Sequence, residues 1–196
     1  MASPRFAADA RSLDNTHQAT LPPMPRVLLL TGTCGSGKTT VAKLLVSRSD
    51  WTRLAEDDIW PSLFGKSRGA FGSEEHRRKR SAIHEVVFPG VKEALAAGRY
   101  VVIEATVHET PPEALLEYQA FFEGQDIRWT VRVLHPRLEV AVARDAARPD
   151  WRAGESRVAS LRVKFSGLVF PPEWFIDTSD QTPGETVAQL LRMGVV

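Results

Sequence analysis

The stretch Val27-Leu28-Leu29-Leu30-Thr31-Gly32-Thr33-Cys34-Gly35-Ser36-Gly37-Lys38-Thr39-Thr40-Val41-Ala42 decides the fold. Residues 32 to 39 satisfy the spacing G-x-x-x-x-G-K-[ST], and both flanks have the context that this spacing requires. Val27 to Leu30 form a short apolar run of the buried-strand type, while Val41, Ala42, Leu44 and Leu45 recur at helical spacing. Strand, glycine-rich loop and helix in that order predict a cradle for the phosphates of a nucleoside triphosphate. The plainer alternative, a glycine-rich turn that only joins strand to helix, would not require a lysine and a hydroxyl at its end.

Each position of the loop answers a demand made by a multiply charged anion. Gly32, Gly35 and Gly37 let the backbone approach phosphate closely, and the amides at the start of the following helix, with its dipole, favour negative charge. Lys38 is expected at the β and γ phosphates and the Thr39 hydroxyl on Mg²⁺. The predicted nucleotide-contacting set is Gly32, Thr33, Cys34, Gly35, Ser36, Gly37, Lys38, Thr39 and Thr40. Cys34, the single cysteine, reads as a small filler whose oxidation would block nucleotide binding.

Working outward, 196 residues suit one domain with a sizeable core. A net charge of +1 gives no global attraction to nucleic acid or to an anionic membrane. One cysteine excludes an internal disulfide framework and fits a reducing cytoplasm. No run approaches the ~20 apolar residues of a membrane span, and Met1 to Pro25 has no signal-peptide core. The expectation is a cytoplasmic protein with no membrane partner: a polar leader over 1–25 and one domain over 26–196.

The remaining pattern alternates strands with helices. A helix over about 38–48 leads to a second strand, Trp51 to Ala55, ending in the acidic cluster Glu56-Asp57-Asp58, and Gly65, Gly69 and Gly72 mark a flexible segment. Ser73 caps a helix to about Ala97 with the stripe Ile83, Val86, Val87, Val91, Ala94 and Leu95 and a kink at Pro89. Tyr100 to Ala105 is the third strand, and the capping box Thr110-Pro111-Pro112-Glu113 opens a helix to about Phe122. Ile127 to Leu134 is the fourth strand; Pro136 opens a helix to about Arg148, and another ends near Phe165. Phe175 and Ile176 make a short fifth strand, and Thr182-Pro183-Gly184-Glu185 starts a terminal helix carrying Val187, Leu190 and Leu191. The predicted class is α/β, with a parallel sheet covered on both faces.

In such a sheet, ligands sit beyond the carboxyl ends of the strands. Asp57 or Asp58, facing opposite ways if the strand continues, would orient an acceptor hydroxyl and take its proton; Asp58 also suits a helix cap before Ile59. Glu104 would hold the magnesium shell, or be a surface acid, and His108 would contact the acceptor, or be a polar loop residue. Arg144 and Arg148, four apart on one helix face, would offset charge on the transferred phosphoryl group from a lid over about 144–160, with Pro149 and Gly154 as its hinge. A solvated arginine pair is the alternative. The run His76-Arg77-Arg78-Lys79-Arg80 reads as a mostly solvated helix face, and Trp60, Phe64 and Phe71 as an acceptor pocket or as core.

The loop, Glu56-Asp57-Asp58, Val101-Val102-Ile103-Glu104-Ala105-Thr106 and Ala143-Arg144-Asp145-Ala146-Ala147-Arg148 together resemble the small P-loop kinase superfamily, in particular the group with polynucleotide kinase domains, zeta toxins and chloramphenicol phosphotransferase. The resemblance implies a P-loop NTPase fold with a five-stranded parallel sheet of order 2-3-1-4-5, Asp57 as base and Arg148 on the phosphates. Two positions depart from it. Polynucleotide kinase domains often carry an arginine three residues after the aspartate, where this chain has Trp60, and the family usually has aspartate where this chain has Glu104.

The expected function is an ATP- and Mg²⁺-dependent kinase acting on a hydroxyl of a small-molecule acceptor, a metabolite or an antibiotic. A polynucleotide 5′-hydroxyl kinase, and hence a nucleic-acid partner, is the runner-up. A nucleotide-dependent switch without an acceptor is the third reading, although neither an N-K-x-D nor an L-S-G-G-Q motif is present.

Overall fold

Five apolar runs become parallel strands in the computed structural model, which describes residues 26–48, 50–65, 73–108, 113–149, 151–168 and 170–194. The elements in chain order are β1 (Val27–Gly32), α1 (Lys38–Val46), β2 (Trp51–Ala55), α2 (Glu56–Phe64), α3 (Glu74–Ala96), β3 (Tyr100–Glu104), α4 (Glu113–Gly124), β4 (Trp129–Leu134), α5 (Leu138–Ala146), α6 (Glu155–Ser166), β5 (Phe175–Ile176) and α7 (Pro183–Arg192). The sheet order is β2-β3-β1-β4-β5. That is the order which the resemblance implies.

β1 lies in the middle and is buried along its whole length. It pairs in parallel with β3, where Leu30 faces Glu104, and with β4, where Gly32 faces Leu134. Because alternate residues of a strand face opposite ways, Val27 and Leu29 join one core with Val87, Val91, Tyr118 and Phe122 of α3 and α4. Leu28 and Leu30 join the other, with Val41 and Leu45 of α1 and Val187 and Leu190 of α7. Burial on both faces explains why β1 reads as an unbroken apolar run rather than an alternating one.

Several boundaries differ from the expected ones for local reasons. The helix after β2 begins at Glu56, so the acidic cluster Glu56-Asp57-Asp58 forms the first turn of α2 rather than the end of a strand. α1 stops at Val46 instead of 48, and α5 runs from Leu138 to Ala146, beginning after Pro136 and ending before Arg148. α3 matches its expected span, with the Ser73 side chain accepting from His76 N, but Val86 is 45% exposed, since the buried face follows Ile83, Val87, Val91 and Ala94. The leader over 1–25, Gly69, Phe71, Gly72 and the Thr110–Pro112 part of the first capping box lie outside the described residues. Among the described residues no helix is long and apolar enough to cross a membrane.

The second capping box forms as expected: Glu185 N donates to Thr182 Oγ1 at 3.2 Å, and Thr182 N donates to Glu185 Oε2 at 2.8 Å. These bonds satisfy amides that the first turn of α7 cannot pair internally. Thr182→Ala is expected to destabilise the protein by about 1 kcal/mol. In urea denaturation this appears as a lower midpoint with an unchanged slope.

Candidate active site

The glycines of the loop are set by backbone geometry. Gly32 (φ 144°) and Gly35 (φ 72°) sit where a Cβ would lie 2.3 Å from the Leu134 carbonyl and 2.0 Å from the Ala141 carbonyl, so the loop is wedged against β4 and α5. Gly37 (φ 96°) caps α1 with no side-chain hydrogen bond, and the first turn carries no acid. That leaves the helix start suited to an anion. Thr178, 2% exposed, donates from Oγ1 to the Ser36 carbonyl at 3.3 Å and braces the loop from the segment after β5.

Lys38 is buried, and Nζ donates to the Gly32 carbonyl at 2.7 Å and the Thr33 carbonyl at 3.0 Å. Burial lowers its pKa, the charges of Cys34, Glu104 and Asp57 act to raise it, and Arg148 acts to lower it.

Glu104, at the end of β3, is 5% exposed. Its Oε1 accepts from the Thr39 hydroxyl, and its Oε2 accepts from Arg53 Nε at 2.9 Å and Nη2 at 2.5 Å. A hydroxyl and a carboxylate at the head of the loop helix are hard oxygen donors of the kind Mg²⁺ prefers. Among the described residues no group of three or more His, Cys, Asp or Glu side chains forms a metal cage. A magnesium ion here would therefore rest on Thr39, Glu104, water and the phosphates of the nucleotide.

Asp57 and Asp58 follow helical rather than strand geometry. Asp58 does not cap the helix, which has already begun at Glu56; its carboxylate pairs with Arg53 Nη1 at 2.5 Å while remaining 65% exposed. Asp57 is the acid of the two whose charge acts on Lys38. Glu56 is anchored instead to the body of the fold, with Tyr118 Oη donating to Oε1 at 2.8 Å and His84 Nε2 lying 3.4 Å from the same oxygen.

The two arginines are not a pair on one helix face, because α5 ends at Ala146. Arg144 donates to the Thr178 carbonyl at 2.8 Å, to Thr178 Oγ1 at 3.3 Å and to the Gln181 carbonyl at 3.3 Å, which ties it to the segment that braces Ser36. Arg148 lies beyond the helix, 3.8 Å from Asp145 and with its guanidinium 5.7 Å from the centre of the Trp151 ring. Asp145 in turn accepts from Gly154 N at 2.9 Å, and Gly154 has φ 84°. The connection from α5 to α6 is thus latched at both ends.

Trp60 does not offer its face to an acceptor. It is 5% exposed and packs on Phe64 and His76, with ring centres 5.4 Å and 5.6 Å away. The basic run is likewise split: Arg77 and Arg78 are exposed, whereas His76 and Arg80 are buried, Arg80 lying 3.2 Å from Glu117 and 3.5 Å from Glu113. A mostly solvated face is therefore not what this run forms.

His108 is 4% exposed, with Nδ1 3.2 Å from the Thr106 carbonyl and its ring 6.1 Å from that of Phe165. A carbonyl can only accept, so Nδ1 carries the proton of the neutral ring. Burial is the main cause that pushes its pKa down to about 4, opposed by the Thr106 contact and assisted by the charges of Lys164, Arg157 and Lys38.

Residues 27–167 match the AAA domain family. The chain belongs to this family. Similar solved structures include the tunicamycin resistance protein of Deinococcus radiodurans (16% identity, TM-score 0.64, covering 88% of this chain and 97% of that one). A gluconokinase from Sinorhizobium meliloti 1021 aligns at 18% identity and TM-score 0.58, covering 88% of this chain and 95% of that one. A chain of the Pnkp1/Rnl/Hen1 RNA repair complex aligns at 21% identity and TM-score 0.57, covering 80% of this chain and 47% of that one. No curated protein matches. At these identities the fold is what is shared, and the likeness to small P-loop kinases read from the loop and its flanks is borne out in it.

The neutral His108 predicts a pH dependence of stability. Above pH 6.5 neither the folded nor the unfolded imidazole is charged; below it the unfolded chain takes up a proton that the buried ring refuses, down to about pH 4. Stability is therefore lost as pH falls through this window. His108→Asn is expected to remove about 2 to 3 kcal/mol of the loss between pH 7 and pH 4.5, measured by urea denaturation at both values.

Proposed function

We propose that this protein is an ATP-dependent kinase that transfers the γ-phosphoryl group to a hydroxyl of a small-molecule acceptor, a metabolite or an antibiotic. The observation that carries this reading is the geometry at the carboxyl edge of the sheet, where buried Lys38 bonds the Gly32 carbonyl at 2.7 Å and the Thr39 hydroxyl donates to Glu104 at the end of β3, with Asp57 on the following helix α2 among the charges that act on Lys38. A loop that only bound nucleotide would need the lysine and the metal-side hydroxyl, but not a carboxylate on a separate helix across the cleft.

In this reading the loop amides and Lys38 hold the β and γ phosphates, with Thr33, Ser36 and Thr40 completing the cradle. Asp57 accepts the proton of the acceptor hydroxyl as its oxygen forms a bond to the γ phosphorus; the bond to the bridging oxygen breaks and ADP leaves. Asp58 is held by Arg53, which leaves Asp57 as the base. Arg148 meets the phosphoryl group from the lid, and Arg144 stabilises the nucleotide side by bracing the loop. Mg²⁺, held by Thr39 and Glu104, would neutralise charge on the phosphate oxygens. His108, expected as an acceptor contact, is as buried as Trp60, so in this reading it stands behind the acceptor side without touching the acceptor and, being neutral, adds no positive charge there. A cytoplasmic setting suits the thiol inside the loop.

A small acceptor is favoured because Trp60, at the position where polynucleotide kinase domains often hold a phosphate with arginine, is buried in the core. The polynucleotide 5′-hydroxyl kinase reading keeps one supporting observation, the likeness to a chain of the RNA repair complex.

ATP consumption and labelled phosphoryl transfer should be measured with nucleosides, sugars, shikimate-like acids, aminoglycosides, chloramphenicol and a short 5′-hydroxyl oligonucleotide. With the true acceptor, Asp57→Asn is expected to lower kcat by about 10² to 10⁴ while nucleotide affinity changes less than about twofold. Lys38→Ala is expected to abolish the heat of Mg-ATP binding. Equal turnover by wild type and Asp57→Asn removes the base. Transfer to the oligonucleotide alone installs the second reading, and tight nucleotide binding without any transfer points to a switch.

A further inference from the structure

One arginine that the nucleotide-binding motif does not contain joins the metal side of the cleft to the acceptor side. Arg53 leaves β2 with its side chain only 15% exposed. Its Nε and Nη2 both donate to Oε2 of Glu104, at 2.9 Å and 2.5 Å, and its Nη1 donates to Asp58 at 2.5 Å. The fork thus claims one oxygen of a carboxylate that is itself 5% exposed, and the other oxygen, Oε1, is turned to the Thr39 hydroxyl.

Glutamate is one methylene longer than aspartate, and the extra torsion lets its carboxylate wander unless something holds it. A rigid guanidinium gripping one oxygen through two N–H groups removes that freedom, and a lysine could not do so with the same geometry. We propose that Arg53 is a positioning residue for the metal: it fixes Glu104 so that Oε1 and the Thr39 hydroxyl face a magnesium–nucleotide substrate as a preset oxygen pair. Arg53 makes glutamate serve at a position where the shorter acid would need no such restraint. This rests on the reading of Thr39 and Glu104 as the metal-holding pair.

The test is the coupling between Mg²⁺ and nucleotide, the ratio of the affinities for a non-hydrolysable ATP analogue with the metal and with a chelator, measured by calorimetry. In Arg53→Met the ratio is expected to fall about tenfold, the lower end for partners that orient a metal-side carboxylate, while metal-free affinity stays within about twofold. Glu104→Gln is expected to lose about as much. Because Arg53 acts through Glu104, the double variant, which also avoids stranding a buried charge, should lose no more than Glu104→Gln alone. Arg53→Lys, which keeps the charge but not the fork, should fall between wild type and Arg53→Met. A wild-type ratio in Arg53→Met, or losses that multiply in the double variant, overturns the assignment of Arg53 alone. Nucleotide binding by the wild type that is indifferent to Mg²⁺ overturns the metal-holding reading of Thr39 and Glu104 and this inference with it.

Discussion

Burial of β1 on both faces is the constraint on which the rest of the molecule depends. With β3 on one edge and β4 on the other, and a core on each face, the strand can emerge in only one direction. It delivers Gly32 against the Leu134 carbonyl and Gly35 against that of Ala141. The loop is therefore packed at backbone level against two neighbouring elements. Everything chemical in the cleft is then placed relative to a rigid ring of amides.

Around that ring the charges are arranged in two tiers. Lys38, Thr39 and Glu104 are buried or nearly so and bond to one another's surroundings, whereas Asp58 and Arg148 reach in from more exposed positions. The inner tier belongs to the loop and β3, and the outer to α2 and the segment after α5. Arg53 is the link between the tiers, and the network of Glu56, Tyr118 and His84 fixes the helix start from which Asp57 projects. A side chain in the inner tier can be altered only at the expense of a buried partner, while the outer tier can move against solvent.

Local chemistry was legible in the sequence, and long-range partnership was not. The loop motif, the two-sided apolar strand, the fifth strand and the Thr182 capping box all depend on residues within a few positions of one another, and each is found where it was expected. Asp57 and Asp58 sit on a helix that starts at Glu56, directly after β2, rather than at Ile59, because the three consecutive acids suit the first turn of a helix as well as the end of a strand. The role of Arg53 has no local signature, because its partner Glu104 lies 51 residues away and neither alone breaks the strand pattern. The basic run differs from the expected solvated face for a reason its periodicity carries: His76, Arg80, Ile83, His84, Val87 and Val91 share one buried helix face, so two of its polar members belong with the apolar stripe. Whether the leading residues form a leader lies outside the described structure.

The contact of Arg148 with Trp151 has an optical consequence. Trp151 is 58% exposed, while Trp51 and Trp60 are buried in the core, so its emission differs in kind from theirs. A guanidinium charge 5.7 Å from the centre of an indole ring alters the electrostatic field that the excited ring feels. Any movement of Arg148 away from this ring would leave the indole to water and shift its ultraviolet emission.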